Sequence, residues 1–294
     1  MFKLACIGLD TSHAVKFTEL IQGPAKNVDT LQVVSCMRFP SPFQSEADQD
    51  KRQEIVEKLG VKVTRSFAEA VKDVDGILVE INDPTLHLEY FKMAAAAELP
   101  VFLDKPMADT VENGREIYNI AKKNNIRVWS SSSLRFTPEI RECCASVKSP
   151  ILANVFGPLG KAPAGSSLIW YGVHTFEMLM TIMGPGAQSV FARKDAKGVV
   201  ATIEYKDGRR AIAECNEECF QYGGRAQNAE TAKSYNVNAS TAEILYSNLI
   251  TAISDFFVKN AVPVSFEDTF EIQAMLDAAE KSVASGKAEK VESL

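Results

Sequence analysis

The chain has 294 residues, 46% hydrophobic and 24% charged, with a formal net charge of −6. This length is sufficient for two domains whose cores need neither disulfides nor metals. The acidic balance, without an arginine-rich run, argues against nucleic acid or an anionic membrane as a partner. No apolar run reaches transmembrane length and no signal peptide precedes the first apolar run, so we expect a cytoplasmic protein.

The six cysteines indicate free thiols and no metal site. Cys6 and Cys36 fall in apparent core strands, where cysteine behaves as a small apolar residue. Cys215 and Cys219 lack a nearby histidine that would complete a zinc set. We therefore predict a reducing compartment and no bound metal.

The first half alternates short apolar runs with helical patterns, which predicts a doubly wound parallel sheet of the Rossmann type. Capping-box patterns at Ser66-x-x-Glu69 and Asp109-x-x-Glu112 start two of its helices. Strands are predicted at residues 2–8, 31–37, 61–64, 76–81, 101–103 and 126–129, with helices at 12–21, 48–59, from 66, 85–97 and 109–125.

After about residue 130 the pattern changes to an α+β domain with a largely antiparallel sheet. Lys206-Asp207-Gly208-Arg209 predicts a hairpin between strands at 199–205 and 210–214. Helices are predicted at residues 137–147, 172–183, 242–258 and 266–284, and a loop rich in Gly, Pro and Ser at 157–167. We expect a dinucleotide-binding domain at 1–129 and a substrate-binding and oligomerisation domain at 130–294.

The first strand is followed by a turn at which dinucleotide folds bind phosphate. Gly8 keeps the first position of G-x-G-x-x-G, whereas Asp10 and His13 occupy the other two. Helix N-terminal amides, with the hydroxyls of Thr11 and Ser12, still suit a pyrophosphate. Asp10 would have to point away from it, or else cap the helix.

The end of the second strand carries Arg38 where an acid would bind the adenine ribose. Arginine suits a 2′-phosphate, so the residue favours NADP over NAD, the alternative being a solvated surface arginine.

Asp104-Lys105-Pro106 lies at a strand end, where open α/β sheets bind ligands. A lysine there can donate to a substrate hydroxyl and favour the alkoxide from which hydride leaves. The alternative is an ordinary strand-to-helix loop. His174, near a predicted helix N-terminus, should be held neutral by the helix dipole, as a general base requires.

These residues, in this order, resemble the Gfo/Idh/MocA oxidoreductase family. The resemblance rests on the first βα turn, Pro84-Thr85-Leu86-His87, Asp104-Lys105-Pro106 and a second-domain helix with His174, and it covers nearly the whole chain. It implies NAD(P)-linked oxidation or reduction of sugar-like or polyol substrates. Lys105 would bind and polarise the reacting hydroxyl, and His174 would exchange its proton.

The resemblance also implies that Asn82, Pro84, His87 and Asp104 belong to the cofactor site, with His87 near the nicotinamide. The open face of the second sheet would form a homodimer or homotetramer. This chain departs from the family at the two lost glycines, the missing ribose acid, Asp104 in place of Glu, and Trp170 in place of an aspartate. Tyr171 is a substitute proton donor, and Trp170 could stack on a sugar ring.

Two alternatives remain beside the dehydrogenase. A non-catalytic ligand sensor or regulatory protein could keep the same fold, because fold does not fix function. An NAD-assisted lyase or glycoside hydrolase would return the hydride within one turnover and hold its cofactor tightly.

Overall fold

The computed structural model describes residues 1–238 and 242–294. Its first sheet has six strands, all parallel, in the order β3-β2-β1-β4-β5-β6. Its strands are β1 (Phe2–Ile7), β2 (Leu31–Met37), β3 (Lys62–Thr64), β4 (Gly76–Val79), β5 (Val101–Leu103) and β6 (Val128–Ser130). The order reverses on either side of β1, and such a reversal leaves a crevice at the carboxyl ends of the strands. The predicted Rossmann-type sheet is confirmed.

Helices connect these strands, as predicted, with one correction at a helix start. They are α1 (Ser12–Gln22), α2 (Glu46–Lys58), α3 (Phe67–Ala70), a 3₁₀ turn (Pro84–Leu86), α4 (His87–Ala96) and α5 (Val111–Asn124). Ser66 caps α3 as predicted. The capping box from Asp109 is wrong, because the Thr110 hydroxyl accepts the Asn113 amide and Asp109 instead accepts from the Asn113 side chain.

The second sheet has seven strands in the order β12-β11-β7-β10-β9-β8-β13. Among the described strands, β7 and β10 pair in parallel and the other neighbours pair antiparallel, which confirms a largely antiparallel sheet. The predicted hairpin is β9 and β10. The strands are β7 (Leu152–Pro158), β8 (Ala187–Asp195), β9 (Gly198–Tyr205), β10 (Arg210–Asn216), β11 (Gly223–Gln227), β12 (Ala232–Asn236) and β13 (Glu289–Lys290).

The described part of the chain after residue 130 has four α-helices: α6 (Pro138–Ser146), α7 (Val173–Met183), α8 (Ala242–Lys259) and α9 (Phe266–Ser285). The chain divides into two compact units, and the division departs from a single cut at residue 130. Residues 131–245 and 267–294 form the second unit, whereas Tyr246–Phe266 groups with residues 1–130 in the first.

Aromatic packing explains why part of α8 belongs to the first unit. Phe257 lies 5.4 Å from Phe2 between ring centroids, and Phe256 lies 5.8 Å from Trp129. Trp129 in turn packs edge-on against Phe102 of β5. These rings are largely shielded from water, and burying such a side chain contributes about 2 kcal/mol. Within the described residues, no helix is long and apolar enough to cross a membrane.

Candidate active site

The turn after β1 keeps the backbone shape that a phosphate-binding turn needs. Gly8 has a φ of +110°, and a Cβ at this position would lie 2.0 Å from the carbonyl oxygen of Glu80. Only glycine adopts this conformation without strain. Thr11 caps α1 by accepting the His13 amide at 3.2 Å, so the cap is Thr11 and not Asp10.

Asp10 is buried and turned into the protein. Its carboxylate accepts the Asn82 amide at 3.0 Å and the Ser41 hydroxyl at 2.6 Å, and the Asn82 side chain donates to the Asp10 carbonyl. Burial raises the pKa of Asp10, and the Ser41 and Asn82 hydrogen bonds oppose that rise. These bonds also fix Asn82, which the sequence assigned to the cofactor site, against the turn.

A dinucleotide pyrophosphate fits this turn on three observations. Gly8 gives the tight bend, and Ser12 is exposed in the first turn of α1. The Asp10 carboxylate is hydrogen-bonded to Ser41 and Asn82, which lie outside this turn. Amides at a helix N-terminus attract anions. The turn could therefore hold the pyrophosphate through backbone amides and the Ser12 hydroxyl.

His13 stands where the fingerprint has its third glycine, and its ring lies against the sheet. Nδ1 of His13 is 2.9 Å from Oδ2 of Asp104, and the ring stacks on Phe17 with centroids 5.0 Å apart. The side chain is 8% exposed. The imidazole thus fills space that a glycine would leave open, and its contacts are with protein.

The ends of β4 and β5 bring two carboxylates and one ammonium together. Asp104 and Lys105 lie at the carboxyl edge, as predicted, and both are buried. Burial alone would raise the pKa of Asp104, but the charges of His13 and Lys105 hold it below its usual range. Burial and the neighbouring Asp104 raise the pKa of Glu80 well above its ordinary value. Sequence reasoning missed Glu80, although an acid directly after the buried run of β4 was the available signal.

Pro84 and His87 follow the same edge, but the His87 ring faces the backbone. Nε2 lies 2.9 Å from the Ile81 carbonyl oxygen and Nδ1 lies 3.3 Å from that of Met107, in a fully buried side chain. The structure gives His87 a role in joining two loops, and its place beside the nicotinamide stays a prediction.

Arg38 is neither solvated nor directed outward. Its guanidinium, 4% exposed, donates to Asp50 and Gln53 at 2.7 Å and to Glu46 at 2.6 Å. The alternative of a solvated surface arginine is wrong, because α2 supplies these acceptors next to the end of β2. The terminal N–H groups of Arg38 that would bind a 2′-phosphate already donate to Asp50, Gln53 and Glu46. Arg38 therefore no longer gives a reason to prefer NADP over NAD.

Replacing Arg38 by methionine should lower stability without changing the ratio of NADH to NADPH affinity. The expected fall in Tm is about 4 °C, because methionine keeps the packing but removes the donors that join β2 to α2. Differential scanning fluorimetry and nucleotide titration measure the two effects. Arg65→Met is the matched control, since Arg65 is exposed and also pairs with Glu46. A selective loss of NADPH binding in Arg38→Met would contradict this reading.

In the second unit, His174 is held by a serine. Nδ1 of His174 lies 2.7 Å from the Ser132 hydroxyl, and the Ser132 amide donates to Glu177 at 3.1 Å. Arg135 holds the other oxygen of Glu177 at 2.8 Å. Sequence reasoning missed Ser132 and Glu177; the signals were the serine run at residues 130–133 and an acid three residues after His174 on one helix face.

The dipole argument for His174 is wrong. One turn of π-helix, Leu168–Gly172, leads into α7, and Gly172 has helical torsion angles without a side-chain cap. The amides near His174 therefore do not form a free helix N-terminus. The ring packs edge-on against Tyr171 at 5.1 Å, and Trp170 lies 5.2 Å from Tyr171. The structure brings Trp170, Tyr171 and His174 together, and their contact with a substrate stays a prediction.

Residues 45–132 match the profile of the Gfo/Idh/MocA family, which is described as an oxidoreductase family with an NAD-binding Rossmann fold. The rhizopine catabolism protein MocA of Rhizobium meliloti is 24% identical over 139 residues, which are 42% of this chain and 44% of that protein. The chain therefore aligns with less than half of that relative's length.

Two solved structures share the fold over almost the whole chain. A myo-inositol dehydrogenase from Corynebacterium glutamicum has a TM-score of 0.82 and 14% identity, with all of both chains covered. A scyllo-inositol dehydrogenase from Lactobacillus casei, solved with NAD(H) and scyllo-inositol, has a TM-score of 0.80 and 13% identity, with 99% of each chain covered. The family match confirms the resemblance stated from the sequence over residues 45–132, and the two structures confirm the shared fold.

Proposed function

We propose, from the confirmed resemblance to the Gfo/Idh/MocA oxidoreductases, that this chain transfers hydride between a nicotinamide cofactor and a sugar-like or polyol hydroxyl or carbonyl. The observation that carries the proposal is Lys105. It is a buried ammonium directly after β5, at the carboxyl edge of a parallel sheet whose phosphate turn still fits a pyrophosphate. Ligands bind at this edge in open α/β folds.

Lys105 would bind the reacting oxygen. Its ammonium donates to a substrate hydroxyl and stabilises the negative charge that develops there. His174 would move the proton. Trp170 and Tyr171 would contact the substrate, with Tyr171 as a further proton donor. The bound nicotinamide supplies the hydride acceptor or donor.

The cofactor is NAD or NADP, and we expect NAD to bind more tightly. The occupied guanidinium of Arg38 removes the feature that favoured the 2′-phosphate. Pyrophosphate would be held at the turn formed by Gly8, Thr11 and Ser12. Asp10 and Asn82 would shape that turn through their mutual hydrogen bonds, without touching phosphate.

Titration of the purified protein with NADH and NADPH, followed by protein fluorescence, tests the nucleotide site. We expect saturable binding of NADH in the micromolar range and weaker binding of NADPH, and turnover with NAD of at least one polyol. Cofactor that co-purifies and shows no net turnover would favour the NAD-assisted lyase instead. Absence of binding by both nucleotides would overturn the proposal.

A ligand sensor is the second candidate, favoured by one feature. Asp10 and His13 replace two glycines of the phosphate fingerprint and are both buried in contacts with protein. A protein that binds polyols but neither nucleotide would be such a sensor.

We also propose a homodimer or homotetramer formed through the second sheet. Phe191 of β8 and Val200 of β9 are 48% and 43% exposed, and their strands are neighbours in that sheet. Exposed apolar side chains on one sheet face are typical of a subunit interface. Sedimentation equilibrium measures the assembly.

A further inference from the structure

Three side chains of the types that ligate metals converge in the first unit, outside the proposed substrate contacts. The ligand atoms of His13, Glu80 and Asp104 all lie within 4.8 Å of one another. Nδ1 of His13 is 2.9 Å from Oδ2 of Asp104 and 4.0 Å from Oε2 of Glu80. We propose that this cluster binds one divalent transition-metal ion, of the zinc and manganese type.

The unpaired carboxylate of Glu80 is the second, independent observation. Glu80 is 0% exposed, and within the described residues neither of its oxygens has a hydrogen-bond partner. A buried carboxyl group without a hydrogen bond is costly, and coordination to a metal ion is one way in which proteins satisfy such a group. Oε2 is directed toward the other two ligands, and a cation between them would neutralise both carboxylates.

The other two ligands are already oriented. Oδ1 of Asp104 accepts the Lys105 amide at 2.7 Å, which leaves Oδ2 turned to His13. The His13 ring is fixed by stacking on Phe17 and by the edge of Tyr246 at 5.4 Å. Contacts of this kind, to the far side of each ligand, are what hold metal ligands in place.

The distances suit an ion with short ligand bonds. Ligand atoms about 2.1 Å from zinc lie roughly 3.0–3.4 Å apart, close to the His13–Asp104 separation, whereas Glu80 would need to move inward by roughly 1 Å. One imidazole nitrogen with two carboxylate oxygens suits zinc or manganese better than magnesium or calcium. Metal ligands must be deprotonated, so on binding the proton at Nδ1 of His13 would pass to Nε2 or to solvent, and a proton carried by the Glu80 carboxyl group would be released to solvent.

Such an ion would connect three segments: the turn after β1, the end of β4 and the end of β5. It goes beyond the proposed function, because it needs neither nucleotide nor substrate. Its test is therefore made without either of them, and its failure would leave the oxidoreductase proposal intact.

The experiment is isothermal titration of the chelator-treated full chain with Zn²⁺ and with Mn²⁺, together with thermal unfolding at saturating ion. The Cys219→Ser chain is used throughout, because Cys219 is the exposed thiol and would bind zinc by itself. We expect one ion per chain, tighter binding as pH rises from 6 to 8, and a Tm increase of about 5 °C.

Glu80→Gln tests the assignment of the ligand, since glutamine keeps the shape and removes the charge. We expect ion affinity to fall at least about 30-fold, because an amide is a weaker ligand than a carboxylate, and the ion-free Tm to change little. Asp104→Asn gives the same readout if Glu80→Gln does not fold. Unchanged affinity in these variants, or no binding of either ion to the parent, would overturn the proposal.

Discussion

Lys105→Met is expected to abolish turnover while nucleotide binding and fold persist. Methionine has nearly the length of lysine and keeps the packing of a side chain that is 6% exposed, but it cannot donate to the substrate oxygen. A preorganised donor at a developing oxyanion contributes about 10³-fold in rate, so kcat should fall by about that factor. The measurement is steady-state kinetics with the polyol that the parent turns over, beside nucleotide titration and Tm.

Lys92→Met is the matched control for Lys105→Met, because Lys92 is an exposed lysine on α4 of the same unit. It should leave kcat, nucleotide affinity and Tm unchanged. If Lys105→Met retains turnover within a few-fold of the parent, Lys105 does not bind the reacting oxygen. A rise in KM with constant kcat would instead mean that Lys105 contributes equally to binding of the ground state and the transition state.

Gly8→Ala should cost about 4 kcal/mol or more of unfolding free energy and prevent nucleotide binding. The added Cβ would lie 2.0 Å from a backbone oxygen of the neighbouring strand end, at a φ of +110°. Backbone cannot rotate aside as a side chain can, so the turn must open. Urea denaturation of both proteins measures the difference.

Gly60→Ala distinguishes the two causes of the stability loss expected for Gly8→Ala, which are the steric overlap of the added Cβ and the strain of a positive φ. Gly60 has a φ of +90°, but a Cβ there would meet no atom within 4 Å. It should cost about 1 kcal/mol, the strain of the conformation alone. If the two variants lose the same unfolding free energy, the backbone near residue 8 must move to relieve the contact with the added Cβ. The strain of the positive φ would then account for both losses.

Most of the first unit could be predicted from the sequence because its strands are apolar and its helices are capped. The run at residues 31–37 and the run at 101–103 agree with β2 and β5 residue for residue. In the second half, β11 and β12 were missed because their sequences, GGRAQ and AKSYN, lack an apolar alternation. β11 pairs with β7, and β12 pairs with β11, which are contacts that local sequence patterns do not report.

Site residues could be predicted from the sequence where their function depends on lying at the end of a strand. Lys105 and Asp104 were placed from the end of β5, whereas the sequence left open whether Asp10 points away from phosphate or caps α1. Contacts between side chains distant in sequence could not be predicted. Glu80, after β4, lies 4.0 Å from His13 of α1, and Arg38, after β2, donates hydrogen bonds to residues of α2. The assignment of Tyr246–Phe266 to the first unit likewise depends on aromatic contacts with Phe2 and Trp129, which only the folded chain reveals.

That assignment has a consequence for biosynthesis. Residues 1–130 leave the ribosome long before Tyr246–Phe266, yet the first unit includes both. Until that segment is synthesised, the surfaces of Phe2 and Trp129 that it covers stay open to water, and nascent chains with such surfaces are prone to aggregate. The N-terminal unit therefore completes its fold only after Tyr246–Phe266 is synthesised, and a gene fragment cut after residue 130 would encode a nucleotide-type sheet with its aromatic face uncovered.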